Sequence, residues 1–334
     1  MTDMLLLLAG FIVLLTGGEL LVRGSVRVAE YAGMSPLLIG LTLVGFGTSA
    51  PELVTSVQAA LAGSPGIAVG NIVGSNIANI LLILGVSAAI MPVPVNSSAI
   101  RRDGMIVLAS ALLFNAIGLF LPLDRYVGGA LLFLLVLYLW YAYRQERTLS
   151  VADAHTAALD RAEAVEQIHP DDTAPKTRRR WSSFRIDLFT ALLTALGGLL
   201  LVIAGGRLLV DAAVAIARSY DVSETVIGLT IIAIGTSMPE LVTSAVAAYR
   251  KHSDVALGNI LGSNIYNTLG IGGATGLMSP TIIPESVVRY DNLVMLAASV
   301  VLLILARTGY RLSRLEGSVM VAAYAFYLYT LFPK

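Results

Sequence analysis

The sequence predicts an all-α membrane protein of ten transmembrane helices, arranged as two inverted five-helix repeats with broken helices at a repeated polar motif. Three observations carry that expectation. Only 13% of the 334 residues are charged, 56% are hydrophobic and the mean hydropathy is +0.80; an ordinary globular domain carries about 25% charge. Apolar runs long enough to cross a hydrocarbon core of about 30 Å recur along the chain. A block of 46 residues also returns at an offset of 188. So little polar surface could not cover a soluble domain of this length, which excludes soluble enzymes and secreted modules. Equal numbers of acidic and basic residues, 22 each, leave no net field for a polyanion, so nucleic acid is excluded as a partner.

Hydropathy and helix breakers delimit the spans in order. The first covers 4–30, and the residues before it lack the basic stretch of a cleaved signal peptide, so it reads as retained. Spans two and three, 36–62 and 67–91, carry blocks rich in Gly, Ser and Asn. Spans four and five, 100–121 and 126–143, are plain apolar runs. The remaining spans, 186–217, 223–249, 254–278, 290–306 and 312–332, repeat that order. The chain therefore divides into a first repeat over 1–143, a polar connection over 144–185 and a second repeat over 186–334. Within the connection, 152–168 has the composition of an exposed amphipathic helix, and 177–181 is a basic cluster flanking the membrane.

Alternate connections fall on opposite membrane faces. One face collects 17 Lys and Arg, among them Arg23, Arg27, Arg101, Arg102, Arg250 and Lys251, and the other only four. The positive-inside rule assigns the first face to the cytoplasm, with the 144–185 connection, and leaves both termini outside. The absence of cysteine removes disulfides, thiolate nucleophiles and Cys-ligated zinc. His155, His169 and His252 lack metal-ligand spacing and read as solvated.

The repeat is the strongest feature. Residues 40–85 align with 228–273 without a gap, and 26 of the 46 positions are identical. The best blocks are GLTLVGFGTSAPELVTS against GLTIIAIGTSMPELVTS, and GNIVGSNIAN against GNILGSNIYN. Five spans separate the copies, an odd number, so the second enters the membrane from the opposite side, an arrangement typical of secondary transporters. Upstream, Glu19 and Arg23 stand four apart, and Arg207 and Asp211 repeat them with signs exchanged. Both read as neutralising pairs within one helix; a gate or a contact at the membrane edge is the sharper alternative.

The motif GTSxPE assembles a hard-cation site. An ionised carboxylate deep in a span costs about 2.5–3.5 kcal/mol, and Glu52 and Glu240 incur that cost at equivalent positions. Pro51 and Pro239 remove a backbone donor, freeing the carbonyls of Gly47 and Gly235 and disturbing those of Thr48 and Thr236. Such irregular backbone is tolerated at membrane depth only where protein or a hydrated cavity satisfies it. Hydroxyls (Thr48, Ser49, Thr236, Ser237), free carbonyls and a carboxylate thus share one turn in each copy, the oxygen set that suits Ca²⁺ or Na⁺. Asn71, Ser75 and Asn79, repeated as Asn259, Ser263 and Asn267, follow at four-residue intervals and form a facing polar stripe. Asn71, Asn259, Asn76 and Asn264 also suit the role of braces between helices. Glycines four apart, Gly70 with Gly74 and Gly258 with Gly262, permit close helix approach. A single Ser or Thr in a span bonds back to its own helix; the doubling of every polar position argues for a site. Two carboxylates give it charge −2, which one Ca²⁺ neutralises, and Na⁺ would use the same oxygens in mutual exclusion.

These blocks resemble the two alpha-repeats of the sodium/calcium exchanger family, within the cation/calcium exchanger superfamily, over nearly the whole chain outside 144–185. The resemblance implies that Glu52 and Glu240 are the central Ca²⁺ ligands, with backbone oxygens of Thr48 and Thr236. It implies flanking Na⁺ sites at Ser75 and Ser263 with the carbonyls of Gly45 and Ala233, the chamber being completed by Ser49, Ser237, Asn79 and Asn267. Potassium-dependent relatives carry aspartate where Asn267 stands, so asparagine there argues against a K⁺ requirement. The proton-coupled branch has a glutamate in the second motif that 70–74 lacks. Animal members carry large calcium-sensing domains in the central connection, which 144–185 is too short to hold; a prokaryotic inner-membrane member is the expected type.

The expected function is a Na⁺-driven Ca²⁺ antiporter that makes and breaks no covalent bond and needs no cofactor beyond the transported Ca²⁺ and Na⁺. Its surroundings are the lipid bilayer, and no protein partner can be read from the chain. The alternatives are a proton/Ca²⁺ exchanger, a passive Ca²⁺ channel and, as the enzyme reading, a dicarboxylate intramembrane hydrolase. The Gly-Thr-Ser and Asn-Ser stripes suit cation ligation better than peptide-bond cleavage.

Overall fold

A computed structural model describes residues 2–32, 34–63, 65–94, 100–166, 181–219, 233–307 and 310–331. The first helix, α1 (Thr2–Ala32), is followed by a composite rod of α2 (Pro36–Ile39), a π-helical segment (Gly40–Val44), α3 (Gly45–Thr48) and α4 (Ala50–Leu61). The rod bends by 44° between Thr48 and Ala50, where Ser49 adopts φ −81° and ψ 6°. Next come α5 (Pro65–Ile77), a π segment (Ala78–Leu84) and α6 (Gly85–Ile90). A π segment (Ile100–Gly104) leads into α7 (Met105–Phe120), and α8 spans Arg125–Glu166.

The second half begins with α9 (Trp181–Ser219) and resumes with α10 (Ala233–Thr236) and α11 (Met238–Tyr249), separated at Ser237 with φ −90° and ψ 5°. It continues through α12 (Ser253–Ile265), a π segment (Tyr266–Ile271) and α13 (Gly272–Met278). A further π segment (Val287–Asp291) precedes α14 (Asn292–Arg307), and α15 (Arg314–Leu331) completes the described chain. Residues 220–232, the start of the expected span 223–249, lie outside the described residues.

Six of the described helices are long and apolar enough to cross a membrane, or seven if the bent rod counts as one span. Large apolar side chains such as Phe11, Phe133, Trp140, Phe189 and Phe326 stand exposed, as lipid-facing positions require. The apolar span expected over 126–143 matches the membrane-length window Arg125–Gln145, and the helix that carries it, α8, continues without a break to Glu166, because 144–166 is rich in Ala, Glu, Arg and Leu, which favour helix with or without a membrane.

The architecture shows reciprocal contacts between the halves. Helices α1 and α9 pack antiparallel through small residues: Gly17 abuts the backbone of Gly198 and Val202, Gly24 abuts Ala195, and Gly205 abuts Gly10 and Leu14. Gly85 meets Gly317, and 188 positions on from Gly85, Gly273 meets Gly128. The two-residue strands β1 (Val93–Pro94) and β2 (Arg311–Leu312) pair antiparallel, and the bridge of Leu123 with Thr281 answers them with the halves exchanged. In the second copy, the glycine spacing does what the sequence suggested. A Cβ at Gly258 would fall 2.5 Å from the carbonyl oxygen of Leu37, and one at Gly262 2.5 Å from that of Leu41. The matching neighbours of Gly70 and Gly74 would come from 220–232, outside the described residues.

Candidate functional site

The two breaks present their polar groups to each other. Each serine at a break lies just ahead of a proline in the first turn of the next helix, Pro51 in α4 and Pro239 in α11, and proline tolerates that position because its missing N–H has no helical partner there. The carboxylates follow one residue later, on rigid helix. Glu52 and Glu240 are each only 1% exposed.

The hydrogen bonds cross between halves. Ser237 Oγ donates to Glu52 Oε1 at 3.1 Å, and Ser49 Oγ donates to Glu240 Oε1 at 2.9 Å. Thr48 Oγ1 donates to Asn259 Oδ1 at 3.1 Å, and Thr236 Oγ1 to Asn71 Oδ1 at 3.4 Å. The asparagine amides complete the pattern. Asn71 Nδ2 donates to Ser56 Oγ (2.9 Å) and the Glu52 carbonyl (3.3 Å), and Asn259 Nδ2 to Ser244 Oγ (2.8 Å) and the Glu240 carbonyl (3.4 Å). Ser75 Oγ lies 3.3 Å from Ser237 Oγ, and Ser263 Oγ donates to the Gly45 carbonyl at 3.4 Å.

The bonds form two clusters, each drawing on both halves: Glu240, Ser49, Thr48, Asn259, Ser263 and Gly45 in one, and Glu52, Ser237, Ser75, Thr236 and Asn71 in the other. Asn79 and Asn267 lie on the π segments, each 1% exposed. Ala233 opens α10 and, among the described residues, belongs to neither cluster. Asn71 and Asn259 act as braces, their amides and carbonyls both engaged. Asn76 and Asn264 donate to their own helices, at Ile72 and Ile260. The polar stripe is not one continuous helical face: the wider π turns begin at Ala78 and Tyr266 and shift Asn79 and Asn267 relative to Ser75 and Ser263.

Several oxygens remain available. Glu52 Oε2, Glu240 Oε2, both polar atoms of Asn79 and of Asn267, and the Oδ1 atoms of Asn76 and Asn264 are buried without a hydrogen-bond partner. Buried polar atoms are ordinarily paired, so an unpaired oxygen on each of the two buried carboxylates fits a hard cation. Among the described residues no three or more His, Cys, Asp or Glu cluster, so the formal charge of the hydrogen-bonded groups comes from Glu52 and Glu240.

Ser56 and Ser244 were not singled out from the sequence, although both end the repeated PELVTS block and their recurrence was a usable signal. Two acid–tyrosine pairs were also missed: Tyr138 Oη donates to Asp103 at 3.0 Å, and Tyr327 Oη to Asp291 at 2.7 Å. Near the membrane edge, Glu19 pairs with Arg23 as expected and also with Arg250. Arg207 and Asp211 are both exposed and, among the described residues, no ion pair joins them; exposed pairs gain little from closing.

The family described as sodium/calcium exchanger protein matches residues 2–144 and 190–332. The chain is 33% identical to sodium/calcium exchanger MaX1 of Methanosarcina acetivorans, covering 99% of this chain and 98% of that protein. It is also 33% identical to inner membrane protein YrbG of Escherichia coli, covering 90% and 87% respectively. Among solved structures, the sodium–calcium exchanger NCX_Mj superimposes with a TM-score of 0.81 at 29% identity, covering 100% of this chain and 99% of that one.

Proposed function

This chain belongs to the sodium/calcium exchanger family, a family of multi-pass membrane exchangers that transport Na⁺ and Ca²⁺, and on that premise we propose that it is a Na⁺-driven Ca²⁺ antiporter working by alternating access. The proposed architecture is ten spans in two inverted five-helix repeats, 1–143 and 186–334, in a prokaryotic inner membrane, with both termini outside and 144–185 cytoplasmic. The antiparallel packing of α1 on α9 and the reciprocal contacts of the halves support this reading.

The observation that carries the proposal is the crossed pairing of Glu52 with Ser237 and Glu240 with Ser49, which leaves one oxygen of each buried carboxylate unpaired. Ca²⁺ takes six to eight oxygens. The two glutamates, the Thr48 and Thr236 backbone oxygens and the neighbouring hydroxyls are of that type and number. Na⁺ would occupy flanking positions at Ser75 and Ser263 with the carbonyls of Gly45 and Ala233, while Asn79 and Asn267 complete the chamber. Both ions draw on the same carboxylates, so each displaces the other, and that competition couples their movements.

Proteoliposomes loaded with Na⁺ and diluted into Na⁺-free medium should take up ⁴⁵Ca²⁺, and dissipating the Na⁺ gradient should stop the uptake. Uptake that ignores Na⁺ but follows an imposed pH gradient would instead identify a proton/Ca²⁺ exchanger.

A further inference from the structure

The two halves match closely around the carboxylates but differ in how each is covered. Beyond Glu240, helix α11 runs through Val242 and Val246 and ends just before Arg250. Helix α1 lies directly on it: a Cβ at Gly18 would meet Val242 Cγ1 at 2.9 Å and Val246 Cγ2 at 3.6 Å. Val242 is accordingly only 6% exposed. At the end of this contact, Arg250 grips Glu19 with two nitrogens, Nε to Oε2 at 2.9 Å and a terminal nitrogen to Oε1 at 2.5 Å.

Among the described residues the equivalent side of α4 has no such cover. Beyond Glu52, helix α4 runs through Val54 and Gln58 and ends just before Ala62; these three align with Val242, Val246 and Arg250. Val54 is 45% exposed. Gly206, the equivalent of Gly18, would place its Cβ in ordinary contact with Leu14 and Pro239, not with α4. The ion pair has no counterpart either, because Arg207 and Ala62 stand where Glu19 and Arg250 do.

The turn after α11 fixes the arginine. Lys251 adopts the left-handed conformation at φ 63°, where the first copy has Gly63 at φ 74°. The N–H groups of Arg250, Lys251 and His252 close on the carbonyls of Val246, Ala248 and Ala247, satisfying the helix end. A residue with a Cβ is thus held in a conformation that costs about 1–2 kcal/mol, and Arg250 is set at a defined place against α1.

We propose that Glu19 and Arg250 form an ionic lock holding the α1–α11 side of the ion chamber shut, and that the chamber opens by parting this contact on one membrane face only. The proposal rests on the alternating-access reading and adds a device confined to one side. Arg23 is a bystander: it shares Glu19 from within α1 and cannot tie that helix to α11.

The test uses the natural absence of cysteine. Val242→Cys and Val54→Cys are made separately in the full chain, and a membrane-impermeant maleimide is added to each side of sealed vesicles in separate arms. Val54→Cys should label faster than Val242→Cys, and from the opposite side. Adding Glu19→Gln or Arg250→Gln should speed Val242→Cys labelling about two- to fivefold, the range expected for a half-exposed ion pair. The double variant should add nothing beyond the larger single effect, and Arg23→Gln should change nothing. Unchanged labelling in Glu19→Gln and Arg250→Gln, multiplicative effects in the double variant, or equal acceleration by Arg23→Gln would each overturn the lock. Labelling reads access and not ion coupling, so failure of the Na⁺-coupling proposal in the flux assay would leave this result standing.

Discussion

Ser237, at the break in the second half, donates its hydroxyl to Glu52 of the first half at 3.1 Å, although 185 residues separate them. Its mirror bond, Ser49 to Glu240, is 2.9 Å long. Each break thus positions the other half's carboxylate, so neither half holds a complete site.

On the proposed shared cation site, Glu52→Gln and Glu240→Gln should each weaken Ca²⁺ binding severely while leaving insertion intact. Loss of a charged ligand, at about 1.5–3 kcal/mol, corresponds to a fall of roughly 10- to 150-fold. Isothermal calorimetry in detergent would read it, and Ca²⁺-dependent flux should disappear. Full affinity in either variant would remove that residue from the site.

The crossed serine bonds predict matched phenotypes. Ser49→Ala and Ser237→Ala each release one carboxylate oxygen, so each should lower Ca²⁺ affinity by about 10-fold or more, as for a bond to a charged acceptor. The two effects should agree within about threefold, given the context-dependence of such values. A large effect in one variant and none in the other would show that the pairing is not functionally reciprocal.

Close backbone approach makes Gly258→Ala costly. Its new methyl group would overlap the Leu37 carbonyl oxygen, 2.5 Å away, and overpacking of this kind costs about 1–3 kcal/mol. Gly197→Ala, where a Cβ meets nothing within 4 Å, should instead be neutral or stabilising through helix propensity. Thermal unfolding in detergent should separate the two variants by several degrees.

Asp103 has no solvent exposure and pairs with Arg102, whose side chain is 7% exposed, at 2.7 Å. Asp103→Ala should remove the carboxylate that pairs with the Arg102 guanidinium and accepts from Tyr138 Oη, at a cost of up to about 3–5 kcal/mol. Asp103→Asn, which retains an acceptor, should cost less. Equal unfolding midpoints for Asp103→Ala and the parent protein would contradict this.

Sequence made the chemistry legible where it was written twice. The carboxylates, the prolines that follow the break serines and the Asn-Ser stripe were visible because each recurs 188 residues on, and the hydropathy pattern gave the helical class. The bracing roles of Asn71 and Asn259 were left open, because only packing decides whether an amide faces a cation or a serine such as Ser56 or Ser244. The π segments that carry Asn79 and Asn267 were invisible, since a wider turn leaves no residue signature. The pairing of Glu19 with Arg250 was not legible, because Arg23, one helical turn away, already supplies Glu19 with a local partner.

By itself, then, the sequence determined that this chain crosses a membrane as helices and carries a doubled oxygen-ligand motif. Both follow from local quantities: apolar run length, the cost of an intramembrane charge, and proline's missing donor. Tertiary structure alone decided which serine meets which carboxylate, which asparagine braces, and that α1 covers α11 while the matching side of α4 stays exposed. Those outcomes depend on distances between residues far apart in the chain, and a sequence difference such as Arg250 against Ala62 acquires its meaning only when packing brings Glu19 to it.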